Sequence, residues 1–109
     1  MEYHIYINIR NDDYKDLGKI HSTIVSLNFK KKSINKKYNV IEYQNKNCII
    51  NLIPHYERLG KDSTKAIFTF PNNLISEGQK KLKNLVARLK EDGISIKEIK
   101  DIRNKVINI

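Results

Sequence analysis

Two sets of side chains in this sequence have types and spacings suited to chemistry. Near the start, His4, Tyr6, Asn8 and Arg10 recur at every second residue. A strand would place them on one face, where an aromatic ring can stack on a base while a guanidinium holds a phosphate. Further on, Lys30, Lys31, Lys32, Lys36 and Lys37 fall within eight consecutive positions with no acidic residue among them. Ammonium groups spaced so closely attract a polyanion and release its counterions on binding. A smaller group, His55, Tyr56, Arg58 and Lys61, follows. Arg58 and Lys61 could add phosphate contacts there, or a histidine could transfer a proton while a cation stabilises phosphorane charge, as metal-independent RNA cleavage requires. Each set also has a plain structural reading: a solvated sheet face, a charged connecting loop and a polar loop.

Other reactive constellations do not assemble. Gly60 and Lys61 suggest a phosphate-binding loop, but the position five before Gly60 is His55 and Lys61 is followed by Asp62, so the required pattern fails. His4, His21, Cys48 and His55 stand singly along the chain, without the short spacings of a metal site. Ser22 or Cys48 becomes a nucleophile only through tertiary contacts that spacing does not supply. Cys48 beside Ile49 and Ile50 reads instead as a small buried side chain. No enzymatic activity, metal or cofactor is expected.

The charge balance points to a partner. Lys plus Arg number 21 against 12 Asp plus Glu, a net charge of +9, which favours a polyanion or an acidic protein surface. Residues 1–29 carry a net −1, residues 30–65 a net +6 and residues 66–109 a net +4, so the middle of the chain is its basic part. Part of that excess follows composition: 18 Ile, 17 Lys and 13 Asn against four Arg and two Ala match A/T-rich coding. Lysine gives attraction with less geometric specificity than arginine. The chain of 109 residues is expected to form one domain over 1–109. No apolar run approaches membrane-spanning length, and MEYHIYINIR lacks a basic flank followed by an apolar block. With a single cysteine, the expected setting is a reducing cytoplasm away from membranes.

Positioning these groups requires a sheet and helices. Ile5, Ile7 and Ile9 alternate with the polar set, predicting a strand with one buried face. Asn11, Asp12 and Asp13 can cap a helix carrying Leu17, Ile20, Ile24 and Leu27 at helical spacing. The lysine run is expected to be a loop, followed by strands over 38–43 and 48–53 joined by a turn at Gln44, Asn45, Lys46 and Asn47. Pro54 closes the second of these, and 54–64 is expected to be an exposed connection. A strand over 65–70 stops at Pro71. Ser76 with Gln79 has capping-box spacing, Leu82, Leu85, Val86 and Leu89 form an apolar stripe, and Gly93 suits a left-handed helix end. Ile94 and Ile96 start another strand, and the tail fits either a helix or, as preferred here, a short terminal hairpin.

This order predicts an α+β fold: a ferredoxin-like two-layer sandwich with a mostly antiparallel sheet and two helices on one face. The layout, with Ile5, Tyr6, Ile7, Asn8 and Ile9, resembles the RNA recognition motif family, whose open sheet binds single-stranded RNA; Tyr6 then corresponds to a stacking position. Residues 65–70, KAIFTF, depart from that family's second signature in lacking its glycine and aromatic placement, so membership is not claimed. Two functions are expected on these grounds. One is a small non-enzymatic binding domain for RNA or single-stranded DNA, using the lysine loop and the open sheet face. The other is a protein inhibitor encoded by a mobile element, such as an immunity protein, an antitoxin or a phage counter-defence factor, that covers an acidic partner surface.

Overall fold

The computed structural model describes residues 2–10, 14–54, 63–103 and 105–107, with the backbone alone at 14–16. Among them, β1 (Glu2–Arg10), α1 (Tyr14–Ser26), β2 (Lys30–Asn35), β3 (Val40–Asn45), β4 (Cys48–Ile53), β5 (Ser63–Pro71), α2 (Ile75–Glu91) and β6 (Ser95–Asp101) follow in order. The strands form one six-stranded sheet in the order β2-β3-β4-β5-β1-β6, and every neighbouring pair is antiparallel. The expected α+β arrangement therefore holds, but the sheet has more strands than a ferredoxin-like layout contains.

Alternation drives the inner strands. Ile7 and Ile9 of β1, Ile50 and Leu52 of β4 and Phe68 of β5 are fully or almost fully buried. Ile20 and Ile24 of α1 and Leu82, Leu85, Val86 and Leu89 of α2 complete one cluster with them, so both helices cover the same side of the sheet. Burying each of these side chains contributes roughly 1.5–3 kcal/mol. Close approach is needed where α2 crosses β5: a Cβ on Gly78 would lie well inside contact distance of the Phe70 ring. At the far end of α2, Gly93 takes φ +81°. The Ile94 N–H donates to Leu89 O at 2.9 Å and the Gly93 N–H to Lys90 O at 3.1 Å, the paired bonds that satisfy a helix C-terminus.

Five expectations change, one of them a shift of the strand expected over 38–43 to Val40–Asn45, which leaves only Lys46 and Asn47 in the turn. The lysine run is not a loop up to Asn35: residues Lys30–Asn35 are an edge strand paired with β3. Lysine has a low strand propensity, yet an edge strand lets long side chains project into water while the backbone pairs on one side. Ser76 does not cap α2, because the N-cap is Leu74 with no side-chain hydrogen bond. Extended Pro71 and a 3-10 turn, Asn72–Leu74, feed the chain directly into the helix. Ser63 and Thr64 belong to β5 and are 0% exposed, so these two residues are buried strand and not part of an exposed connection; 55–62 lie outside the described residues. Asn8 is buried at 5% exposure instead of lying open on the sheet face. The tail does turn back on β6, as a hairpin: Lys100 bridges Val106, and the Ile107 N–H donates to Ile99 O at 2.7 Å. The proposed caps at Asn11, Asp12 and Asp13 lie outside the described residues.

Candidate nucleic-acid interface

The expected basic surface is a strand and a turn. All six residues of β2 are exposed, and Lys36 and Lys37 lie in the turn that leads to β3. The register places Lys31 opposite Tyr43 and Ser33 opposite Glu42, leaving Lys32 as an extra residue in a bulge. A bulge twists an edge and discourages another strand from pairing there. None of the ammonium groups of Lys30, Lys31, Lys32, Lys36 and Lys37 lies within ion-pair distance of a carboxylate among the described residues. Tyr38, 64% exposed, stands beside this turn with the Lys37 Nζ 5.4 Å from its ring centroid. Ile34 in β2 is 50% exposed. The sequence pattern placed Tyr38 in a strand, whereas it lies in the turn directly after Lys36 and Lys37.

The β1 set is divided by burial. His4 is half-buried, its Nδ1 3.1 Å from Thr69 Oγ1 and its Nε2 3.9 Å from the Glu2 carboxylate. The Tyr6 ring is half-buried, with the Lys65 Nζ 4.3 Å from its centroid. Asn8 donates from Nδ2 to Glu98 Oε1 at 3.1 Å, and that carboxylate also accepts from Lys100 Nζ at 3.1 Å. Arg10 is exposed at the end of the strand, opposite Ser63 and Ser95. Three strands separate β1 from β2, so the two sets stand about 19 Å apart at ordinary strand spacing. They do not form one cluster, and the register puts Lys30 on the sheet face of His4 and Tyr6 but Lys31 on the face of the buried Tyr43. Arg58 and Lys61, with His55 and Tyr56, lie outside the described residues.

Two further groups of polar side chains belong to the packing. His21 Nδ1 lies 2.7 Å from the Tyr43 hydroxyl, and burial raises the pKa of that hydroxyl above its ordinary value. Thr23 donates to Asp92, joining α1 to the end of α2, while Arg88 reaches Ser26 Oγ at 3.3 Å. Cys48 is buried and unbridged; burial pushes its thiol pKa up, Lys81 opposes this and Glu77 adds to it. Among the described residues no group of three metal-ligating side chains comes together, and no helix is long and apolar enough to cross a membrane. No protein-family model matches the chain, and no curated protein matches it either.

Proposed function

We propose that this protein binds single-stranded nucleic acid, RNA or DNA, without catalysing a reaction, through the basic β2 edge and the turn after it. The observation that carries this reading is the row of Lys30, Lys31, Lys32, Lys36 and Lys37, exposed and without carboxylate neighbours among the described residues. Such cations gain most from phosphates, since no carboxylate among the described residues already neutralises them. Tyr38 adds an exposed ring for a base, and the sheet face from β3 to β1 offers a continuing path toward Tyr6 and Arg10. We read β4, β5, β1 and β6 with the two helices as a ferredoxin-like core to which β2 and β3 are an added basic hairpin; the strand order supports this. The single buried cysteine suits work in a reducing cytoplasm.

The test is fluorescence anisotropy with mixed-sequence single-stranded RNA, single-stranded DNA and duplex DNA at several salt concentrations. Micromolar binding near physiological salt, stronger for single strands, is the expected result. Binding that vanishes with modest salt and ignores nucleic-acid type would overturn it. A second reading rests on Ile34: an exposed aliphatic among lysines at the sheet edge suits the surface of an acidic partner protein, as an inhibitor of that partner would use. Failure of all three nucleic acids would favour that reading.

A further inference from the structure

On the helix-covered side of the sheet, the face away from Tyr6, a pocket of about 370 Å3 opens between the start of β1, the first half of α2 and the returning tail. The register builds its floor: Tyr3 stands opposite Phe70, and Ile5 opposite Asp101. Leu82 of α2 and Ile107 of the tail form its sides. The Tyr3 and Phe70 rings stack with centroids 5.3 Å apart and planes at 21°. Tyr3 is nevertheless 43% exposed and Ile75, also in the wall, 38% exposed, so apolar surface is left open to water. Three polar side chains interrupt that wall: Gln79, Lys83 and Asp101. The Asp101 carboxylate is fixed through one oxygen, Oδ1, which accepts from the Arg103 N–H at 2.9 Å and the Lys105 N–H at 3.0 Å. Its Oδ2 takes no donor among the described residues and is not closed off from solvent. The Lys83 ammonium, likewise, has no carboxylate within ion-pair distance among the described residues.

We propose that this pocket binds a free α-amino acid with a large apolar side chain, an interaction independent of the nucleic-acid reading above. Charge complementarity selects that ligand. An α-amino acid is a zwitterion with an ammonium and a carboxylate on one carbon, and here a carboxylate oxygen and an ammonium, neither of them paired among the described residues, line the same cavity. The ligand ammonium donates to Asp101 Oδ2, and its carboxylate accepts from Lys83 Nζ and from the Gln79 amide. Its side chain lies against Tyr3, Phe70 and Leu82. Hydrogen bonds between ionised groups are the strong ones, and apolar surroundings strengthen them further. An apolar side chain removes the open Tyr3 and Ile75 surface from water, and an aromatic one adds the edge or face contact that rings prefer. A simple acid or a simple amine would answer only one of the two charges. A mostly apolar wall with a few polar groups that fix orientation is the usual anatomy of a small-molecule site, and the volume lies at the small end of the ~300–1,000 Å3 range of such sites.

The experiment titrates the isotope-labelled full chain with L-phenylalanine, with phenylacetate, which lacks the ammonium, and with phenethylamine, which lacks the carboxylate, and follows the resonances by NMR. L-Phenylalanine is expected to saturate the protein and to bind on the order of tenfold more tightly than either of the other two. The shifts should centre on the Leu82 and Ile107 methyl groups and the Gln79 side-chain amide. Lys83→Met removes the advantage of L-phenylalanine over phenethylamine. Asp101→Asn, which keeps an oxygen for the two N–H groups of the turn, removes its advantage over phenylacetate. Circular dichroism confirms that both variants are folded. Equal affinity for the three probes would mean that apolar contact alone fills the pocket and overturns the proposal. Absence of saturation by L-phenylalanine overturns it as well, and so do shifts confined to Tyr6 or the β2 lysines. None of these outcomes touches the nucleic-acid reading, which uses the β2 edge and is measured with RNA.

Discussion

At one edge of the sheet, β6 is followed by residues 105–107, which fold back on it: the Asp101 N–H donates to Lys105 O at 2.9 Å and the Ile107 N–H to Ile99 O at 2.7 Å. The Asp101 carboxylate holds that turn by accepting from the Arg103 and Lys105 N–H groups. At the opposite edge, β2 has no such cover among the described residues and carries three successive lysines with a bulge. Both devices keep foreign strands from pairing, one by occupying the backbone groups and the other by charge and twist. They differ in what remains available. An edge closed by the chain's own backbone is spent on stability, whereas an edge guarded by lysines stays open to an anion.

The comparison is tested most severely by reversing the charge. Glu at positions 31, 32, 36 and 37 in place of lysine should lower affinity for single-stranded RNA by on the order of a hundredfold or more and flatten its salt dependence. Unfolding stability should move by no more than about 0.5 kcal/mol. Unchanged affinity would take the site away from this edge.

Ending the chain after Asp101 should do the reverse. Loss of two backbone hydrogen bonds and of the Ile107 packing should lower the unfolding free energy by about 2–4 kcal/mol in urea titrations, with RNA affinity kept. A stability equal to the full chain would mean that the tail does not close the β6 edge.

Tyr38→Ala sharpens the picture of the open edge, with binding weakened by ~1–3 kcal/mol if a base stacks there and the melting temperature little changed. A fall in melting temperature with unaltered affinity would make the ring structural.

The smallest expected effect lies between the edges, in β4. Burial raises the Cys48 thiol pKa, with Lys81 opposing and Glu77 adding, and burial also raises the Tyr43 hydroxyl. A group whose pKa is raised on folding contributes stability that is complete below its unfolded value and is lost as pH rises through its folded value. Stability should therefore decline on the alkaline side of the ordinary thiol pKa. Cys48→Ala should lessen the early part of that decline without abolishing it, as urea titrations across alkaline pH will show.

Much of the fold was legible because its signals are local. Ile5, Ile7 and Ile9 alternate, and Leu82, Leu85, Val86 and Leu89 repeat at helical spacing, and all of them are buried in the cluster. Gly93 and Pro54 marked element ends through their own backbone chemistry. The site was less legible. Period-two alternation placed His4, Tyr6, Asn8 and Arg10 on the same face, but it says nothing about what stands on neighbouring strands. Asn8 is covered because Glu98, ninety residues away, lies opposite it in β6. The lysine run read as a loop because strand formation there depends on β3 offering Ile41 to Ile34 and Tyr43 to Lys31, a non-local pairing that outweighs propensity.

Chain-local pattern settled the apolar faces of β1 and α2 and the place where the excess positive charge is concentrated, since periodicity and charge are properties of neighbours in the chain. Tertiary structure alone decided that this charge forms an edge strand, that the tail closes the other edge, and that Asn8 and Lys100 both reach Glu98. Those outcomes depend on register between distant strands, where a shift of one residue would turn every side chain to the other face.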